Sequence, residues 1–124
     1  MSRRAIRCAI AIAVLCGGAS PLHAQVPHSL AASPDIYKVI AEDARYRVIE
    51  VTWAPGQRDV QHSHPASAVY YPMDCSLLPF RADGTALAQR DAPAGFAIVQ
   101  PPIASHSIQN VGTKPCKLIM FEPK

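Results

Sequence analysis

The chain has 124 residues, with 12 basic and 9 acidic side chains and a formal net charge of +3. This length is typical of one domain and leaves no room for a second. Three of the basic residues, Arg3, Arg4 and Arg7, lie at the N-terminus. Without them, nine basic side chains balance nine acidic ones, so the charge does not indicate nucleic acid or an anionic membrane as a partner.

Residues 1–24 have the layout of a secretory signal peptide. A basic start is followed by an apolar run from Cys8 to Cys16, which is too short to span a bilayer. Residues 17–21 end this run, and Ala24 is a small residue at the expected cleavage position. A short buried helix of the fold is the alternative, and the order of basic, apolar and small regions disfavours it. We therefore expect a periplasmic or secreted protein.

The N-terminal sequence also bears on the export route and on whether the mature protein has a lipid anchor. Arg3 and Arg4 match a twin-arginine signal only in part, so the sequence leaves the Sec and twin-arginine routes open. Leu15 directly before Cys16 is a poor context for lipoprotein cleavage. We expect no membrane anchor in the mature form.

The mature chain opens with a segment rich in Pro, Ser and Ala at residues 25–35. This composition predicts a flexible lead-in, with His28 as a solvated tail residue. Residues 36–44 have mixed character and predict either a short strand or one helical turn. The folded domain is expected to span residues 36–124.

The rest of the chain predicts strands. Short runs rich in β-branched and aromatic residues alternate with turns that contain Gly and Pro. These runs lie at residues 46–53, 60–64, 68–73, 77–81, 86–90, 96–100, 105–109 and 117–121. Many short strands without a helical period indicate an all-β sandwich or barrel.

Two histidines on one predicted strand are the sharpest local feature. His62 and His64 are two positions apart, so in a strand both side chains point to the same face. The pair alone is a weak signal, because solvated histidines on a surface would show the same spacing. His106 lies on another predicted strand and adds a third imidazole, and three imidazoles leave coordination positions open, as in catalytic metal sites.

The spacing around these histidines resembles that of the cupin family. The first cupin motif is Gly, five residues, His-x-His, three or four residues, Glu, six residues, Gly. Gly56 is followed by five residues and then by His62 and His64. Ala68 stands in the Glu position of this motif, and Cys75 stands in the position of its final Gly.

The second cupin motif is Gly, five residues, Pro-x-Gly, two residues, His, three residues, Asn. Gly95 is followed by five residues and Pro101, and His106 and Asn110 keep their spacing. Ile103 replaces the second Gly. The resemblance runs over residues 45–121 and implies a cupin-type jelly-roll β-barrel.

The resemblance also implies a metal site. In many cupins the Glu is a fourth ligand, and Ala68 cannot replace it. Ligation would then rest on His62, His64 and His106, as in the three-histidine subset that is similar to cysteine dioxygenase. The metal would be a divalent transition metal (iron, manganese, copper, nickel or zinc), and three neutral ligands favour a small anionic molecule bound directly to the ion.

Two functions stay open at this stage. The first is a metal-dependent, dioxygenase-like enzyme that acts on a small anionic molecule. The second is a non-catalytic periplasmic protein that holds a metal or a small ligand in the barrel. A barrel that has lost its metal is a third, less favoured reading. The sequence contains no carboxylate pair, nucleophile motif or phosphate-binding loop that would indicate another chemistry.

Other residues are weaker candidates. Tyr70 is two positions from Ala68 and is expected to share its inward face and line the pocket, with a core aromatic as the alternative. Gln57, Arg58 and Asp59 precede His62 and are interpreted as an ordinary solvated loop.

Cys75 and Cys116 remain after removal of the signal, and an exported chain with two cysteines is expected to form one disulfide. In the cupin topology the strand at residues 68–73 pairs antiparallel with the last strand, which brings the two cysteines together. Two free buried thiols are the alternative. The resemblance also allows a homodimer, since cupins often pair through sheet edges.

Overall fold

The computed structural model describes residues 24–124. The predicted signal peptide, apart from Ala24, lies outside these residues. Within them no helix is long and apolar enough to cross a membrane. One short helix and nine strands make up the described fold. In chain order they are α1 Ser29–Ala32, β1 Tyr37–Glu42, β2 Tyr46–Trp53, β3 His62–His64, β4 Ser67–Tyr70, β5 Cys75–Arg81, β6 Arg90–Ala92, β7 Ala97–Gln100, β8 Ile103–Asn110 and β9 Cys116–Pro123.

The strands form two antiparallel sheets, as the all-β barrel prediction requires. One sheet has the order β1-β2-β9-β4-β7 and the other the order β3-β8-β5-β6. Alternate residues of β2 and β9 point inward, and Ile49, Val51, Leu118 and Met120 are buried there. Strands buried on one face keep this period of two, which is why the sequence predicted them well.

The disulfide predicted between Cys75 and Cys116 is confirmed. Strand β4 pairs antiparallel with β9, and the two cysteines have a Cα–Cα distance of 5.1 Å and a sequence separation of 41. Closing a loop of this length stabilises a domain by about 4 kcal/mol on the chain-entropy model. The bond joins the ends of two strands that belong to different sheets.

One predicted strand lies elsewhere. The chain was expected to return at residues 86–90, but the structure has a single bridge from Ala86 to Phe80 and then β6 at Arg90–Ala92, paired with the start of β5. The Leu87 amide donates to the Pro79 carbonyl at 2.8 Å. Proline has no N–H to return the bond, so the ladder does not continue there.

The segment expected to be a flexible lead-in is folded against the barrel. His28 caps α1 through its side chain, Ser29 is buried, and the Ser63 amide donates to the Pro27 carbonyl at 2.9 Å. The prediction of a solvated His28 is therefore wrong. The prediction relied on the composition of the segment, which has few apolar groups. Backbone and side-chain hydrogen bonds, which composition does not show, hold the segment in place.

Candidate metal centre

Strands β3 and β8 bring the three predicted histidines together. His62 and His64 both point into the barrel and are 0% and 4% exposed. His106 lies directly opposite His62 in the β3–β8 ladder. The ring centroids are 4.6 Å apart for His62 and His64, 4.6 Å for His62 and His106, and 5.2 Å for His64 and His106.

The ring nitrogens converge as metal ligands do. One nitrogen from each ring lies within 4.8 Å of those of the other two. The Nε2 atoms of His62 and His64 are 2.9 Å apart, and Nε2 of His106 is buried without a hydrogen-bond partner. A buried imidazole nitrogen without a partner is costly unless something binds it. The three donors therefore fit a divalent transition metal, which prefers nitrogen ligands of this kind.

His62 is held from behind. Its Nδ1 donates to the Val60 carbonyl at 2.7 Å, which leaves the lone pair on Nε2, and the Tyr37 hydroxyl is 3.1 Å from that Nε2. The Tyr37 hydroxyl itself donates to Asp59 at 2.8 Å. The Val60 carbonyl thereby sets the tautomer and the ring orientation, as the partners of metal-bound histidines usually do.

Asp59 is a buried anchor, contrary to its interpretation as part of a solvated loop. It is 4% exposed and accepts from Trp53 Nε1 at 3.1 Å and from the Ile108 amide at 2.6 Å, in addition to Tyr37. Burial raises the pKa of Asp59, although these hydrogen bonds oppose the change. A single acidic residue in a short loop carries no signal of burial in the sequence.

Burial keeps His62 and His106 neutral at pH 7. It lowers the pKa of His62 to about 4 and the pKa of His106 to about 3, and in both cases the neighbouring histidines lower it further. The lone pairs of these rings are therefore free for a metal at neutral pH.

A cavity of about 310 Å³ opens in front of the histidines. Its walls include His64 and His106, and they also include Arg81 and Arg90. The remaining walls are largely apolar, from side chains such as those of Leu77, Ile108, Leu118 and Met120. None of the described residues that line this cavity is acidic.

The expectation that Tyr70 lines the pocket is wrong. Ser67 and Val69 of β4 point inward, whereas Ala68 and Tyr70 point outward, and Tyr70 is 48% exposed. The prediction placed Ala68 inward because it stands in the Glu position of the cupin motif, and it placed Tyr70 on the same face two positions later. Strand β3 ends at His64, and β4 starts at Ser67 in the other sheet. The inward positions of β4 are therefore set anew and do not follow from those of β3.

The same orientation of β4 decides which residue stands where many cupins have the Glu ligand. Ala68 lies on the outer face, and the next residue, Val69, lines the cavity. Val69 is also the residue that follows His64 after four intervening positions, the longer of the two cupin spacings. Whichever spacing applies, the side chain there offers no ligand atom.

A second cluster, formed by His28, His64 and Glu122, lies behind the first. Glu122 of β9 is 0% exposed. Its Oε1 is 2.7 Å from His28 Nε2 and 2.7 Å from Arg47 Nε, and its Oε2 is 3.8 Å from His64 Nδ1. The prediction missed this residue because it ended the last strand at Phe121. The strand continues to Pro123, and Glu122 then falls on the inward face with Leu118 and Met120.

Comparisons by sequence find no match. No protein-family model matches the chain, and no curated protein matches it either.

Comparisons by structure find the cupin fold. A cupin domain from Bordetella pertussis is 20% identical with a TM-score of 0.64, over 80% of this chain and 96% of that one. A conserved protein with a double-stranded β-helix domain from Klebsiella pneumoniae is 20% identical with a TM-score of 0.56, over 71% and 75%. A cupin family protein with a double-stranded β-helix fold from Methanocaldococcus jannaschii is 9% identical with a TM-score of 0.56, over 71% and 78%. At these identities the similarity is one of fold alone.

Proposed function

We propose that this chain, which has the cupin fold, is an exported protein that binds a divalent transition metal through His62, His64 and His106. At that site it acts on a small anionic molecule, in a dioxygenase-like reaction. The observation that carries this proposal is the convergence of three imidazoles, two of which line a cavity. A bound ion would supply Lewis-acid or redox chemistry at an open coordination position.

The charges of the cavity support an anionic ligand. Arg81 and Arg90 both line it, and the positive charge of Arg90 is one of the causes that lower the pKa of His106. Arginine binds carboxylates through two parallel hydrogen bonds. The apolar walls exclude water from the rest of the ligand, so a carboxylate with an apolar body is the class of molecule that fits.

The protein's own residues divide this work. Tyr37 and Asp59 orient His62, the two arginines attract the anionic group, and Gln100, fixed by a 2.8 Å hydrogen bond to Ser67, adds a polar group to the wall. The Cys75–Cys116 disulfide ties together the sheets that carry these groups.

Metal analysis of the protein purified from its own compartment tests the metal site. We expect one equivalent of a transition metal in the parent. His62→Ala, His64→Ala and His106→Ala should each lose it while the barrel stays folded, because open metal sites contribute less to folding than closed ones. Ser63→Ala is the matched control, since Ser63 lies between the two histidines on the opposite face. Three single variants that bind metal like the parent would show that the assignment is wrong.

The alternative function is a non-catalytic protein that holds a metal or a small ligand. Oxygen consumption by the metal-loaded protein, measured with a panel of small carboxylates, separates the two. Turnover that disappears in Arg90→Gln and persists in Lys38→Gln, which changes an exposed lysine of β1, supports the enzyme. A tightly held ion with no turnover supports the binding protein.

Export and self-association belong to the same proposal. The layout of residues 1–24 supports export to the periplasm or beyond, and N-terminal sequencing of the mature protein tests it. A homodimer would cover the apolar outer face of the five-stranded sheet, where Tyr70, Ile98, Val99 and Phe121 are exposed. Light scattering should then report a dimer, and Val99→Glu should report a monomer; a monomeric parent would show that the dimer is wrong.

A further inference from the structure

Glu122 is a buried carboxylate that the proposed metal site does not use. It lies on the last strand, on the side of His64 that faces away from the other two histidines. One of its oxygens, Oε1, is fully engaged by the side chains of Arg47 and His28. The other, Oε2, has no hydrogen-bond partner.

The atom that faces this free oxygen is equally unpartnered. His64 Nδ1 is buried without a hydrogen bond and lies 3.8 Å from Glu122 Oε2. Each buried polar atom that lacks a hydrogen bond lowers the stability of the fold, and a hydrogen bond between these two atoms would remove both costs. A proton on Nδ1 would pair them. His62 already has its lone pair on Nε2, so in the metal-free protein the 2.9 Å contact between the two Nε2 atoms is a hydrogen bond whose proton lies on His64 Nε2. When a bound ion takes the place of that proton, the ring carries its proton on Nδ1, opposite Oε2.

The same cluster does not have the charges of a second metal site. His28 Nδ1 accepts from the Leu30 amide at 3.2 Å, so its Nε2 carries the proton and donates to Glu122. Arg47 Nη2 lies 3.2 Å from that nitrogen. A cation placed here would displace a donor and stand beside a guanidinium group. The cluster is instead built to hold a carboxylate in one position.

We propose that Glu122 is a positioning residue for His64. Its Oε2 accepts the Nδ1 proton of His64 and so directs the Nε2 lone pair of that ring toward the metal. His28 and Arg47 hold the carboxylate by its other oxygen. Carboxylates behind metal-bound histidines have this role generally, because they fix the tautomer and raise the basicity of the ligand. The inference rests on the proposed three-histidine site.

One consequence concerns the N-terminal segment. His28 lies at the start of α1 and reaches Glu122 across the sheets. The segment that composition marked as a loose lead-in is therefore part of the support of the metal site. Removal of residues 25–32 should weaken metal binding even though none of these residues touches the three ligand atoms.

The test combines two measurements on the mature protein and on Glu122→Gln. Co(II) titration, followed by the visible spectrum, should show an affinity lower by about 10- to 100-fold in the variant, with shifted absorption bands. ¹H–¹⁵N NMR of the Zn(II)-loaded protein should show the His64 Nδ1 proton far downfield and slow to exchange in the parent, because a carboxylate accepts it, and farther upfield in the variant, whose amide is a weaker acceptor. Glu50→Gln is the matched control, because Glu50 lies on the neighbouring strand in a half-buried pair with Lys117 and should change neither measurement.

The outcomes separate this inference from the metal site itself. A parent that binds no Co(II) contradicts the proposed function and the positioning role with it, whereas a parent that binds Co(II) leaves the role of Glu122 to the comparison with the variant. A variant with unchanged affinity, or with an unchanged His64 proton, overturns the positioning role. His28→Ala repeats the test on a less buried residue in case Glu122→Gln does not fold, and we expect about a tenfold loss of Co(II) affinity.

Discussion

Two buried carboxylates lie behind two of the site histidines, and their surroundings differ. Asp59 is 3.7 Å from His62 Nδ1 and accepts hydrogen bonds from the neutral donors of Tyr37, Trp53 and the Ile108 backbone. Glu122 is 3.8 Å from His64 Nδ1, and its donors are Arg47 and His28.

The charge of the hydrogen-bond donors decides the direction in which the pKa of each carboxylate shifts. Burial raises the pKa of Asp59, and its neutral donors only partly offset that change. Burial also acts to raise the pKa of Glu122, but nearby His64, the charges of His28 and Arg47 and the hydrogen bond from Arg47 outweigh it, and its pKa is lowered. Asp59 is thus a structural anchor that is costly to ionise, whereas Glu122 stays ionised and keeps one oxygen for His64.

The largest effect on stability is expected from removal of the anchor. Asp59→Ala leaves three buried donors without an acceptor, and each costs about 1–3 kcal/mol. Urea unfolding of the metal-free protein should show a loss of roughly 3 kcal/mol or more. Asp59→Asn keeps one acceptor oxygen and should lose less. A variant Asp59→Ala as stable as the parent would show that these hydrogen bonds do not hold the loop.

Lowering the pH should change the contributions of Glu122 and Asp59 to stability in opposite directions. Glu122 has a lowered pKa, so its contribution to stability is present above about pH 4.5 and is lost as the pH falls through its folded pKa. Asp59 has a raised pKa, so its ionisation opposes folding at neutral pH, and this cost is relieved as the pH falls toward 4. The stability difference between parent and Glu122→Gln should therefore shrink from pH 6 to pH 3, and that between parent and Asp59→Asn should grow. Thermal unfolding of the metal-free proteins across this range measures both differences, and parallel curves would contradict the comparison.

The buried histidines add a pH dependence of stability that the parent and both carboxylate variants share. The pKa values of about 4 for His62 and about 3 for His106 lie below 6.5, so the unfolded chain takes up protons first. Stability should fall as the pH decreases from about 6.5 toward 3. His106→Gln should flatten the fall, since one of the two groups no longer titrates.

A smaller effect is expected at the link between Asp59 and His62. Tyr37→Phe removes the hydroxyl that donates to Asp59 and lies 3.1 Å from His62 Nε2. The loss should be about 1–2 kcal/mol, because Asp59 keeps its two other donors. Denaturant unfolding measures the stability, and a Co(II) titration shows whether His62 still binds in the same geometry. Tyr46→Phe, which changes an exposed tyrosine of β2, is the control.

The smallest effect is expected from a carboxylate placed on the wrong face. Ala68→Glu should leave metal affinity unchanged, because Ala68 points outward from β4. Val69→Glu places its carboxylate in the cavity and should change the affinity, at some cost in stability. Equal affinities in the two variants, by Co(II) titration, would contradict the assignment of the faces of β4.

The fold could be predicted because its signals are local. The run at residues 46–53 is rich in β-branched and aromatic residues, and it forms β2 with the same bounds. The cupin spacing predicted that His62, His64 and His106 lie together, as they do. The predictions failed where the Glu position of the motif was assigned to a residue on the outer face, as for Ala68 and with it Tyr70, or where the last strand was ended too early, as for Glu122. His28 was missed because hydrogen bonds across long sequence distances leave no pattern in composition.

The sequence alone therefore determined the class of fold, the two cysteines available for one disulfide and the three imidazoles, because periodicity and spacing are properties of the chain. Only the tertiary structure decided which carboxylate lies behind which histidine. Asp59 is three positions from His62, whereas Glu122 reaches His64 from the far end of the chain, across the barrel. Their opposite pKa directions follow from burial and from donors on distant strands, and these exist only once the two sheets have packed.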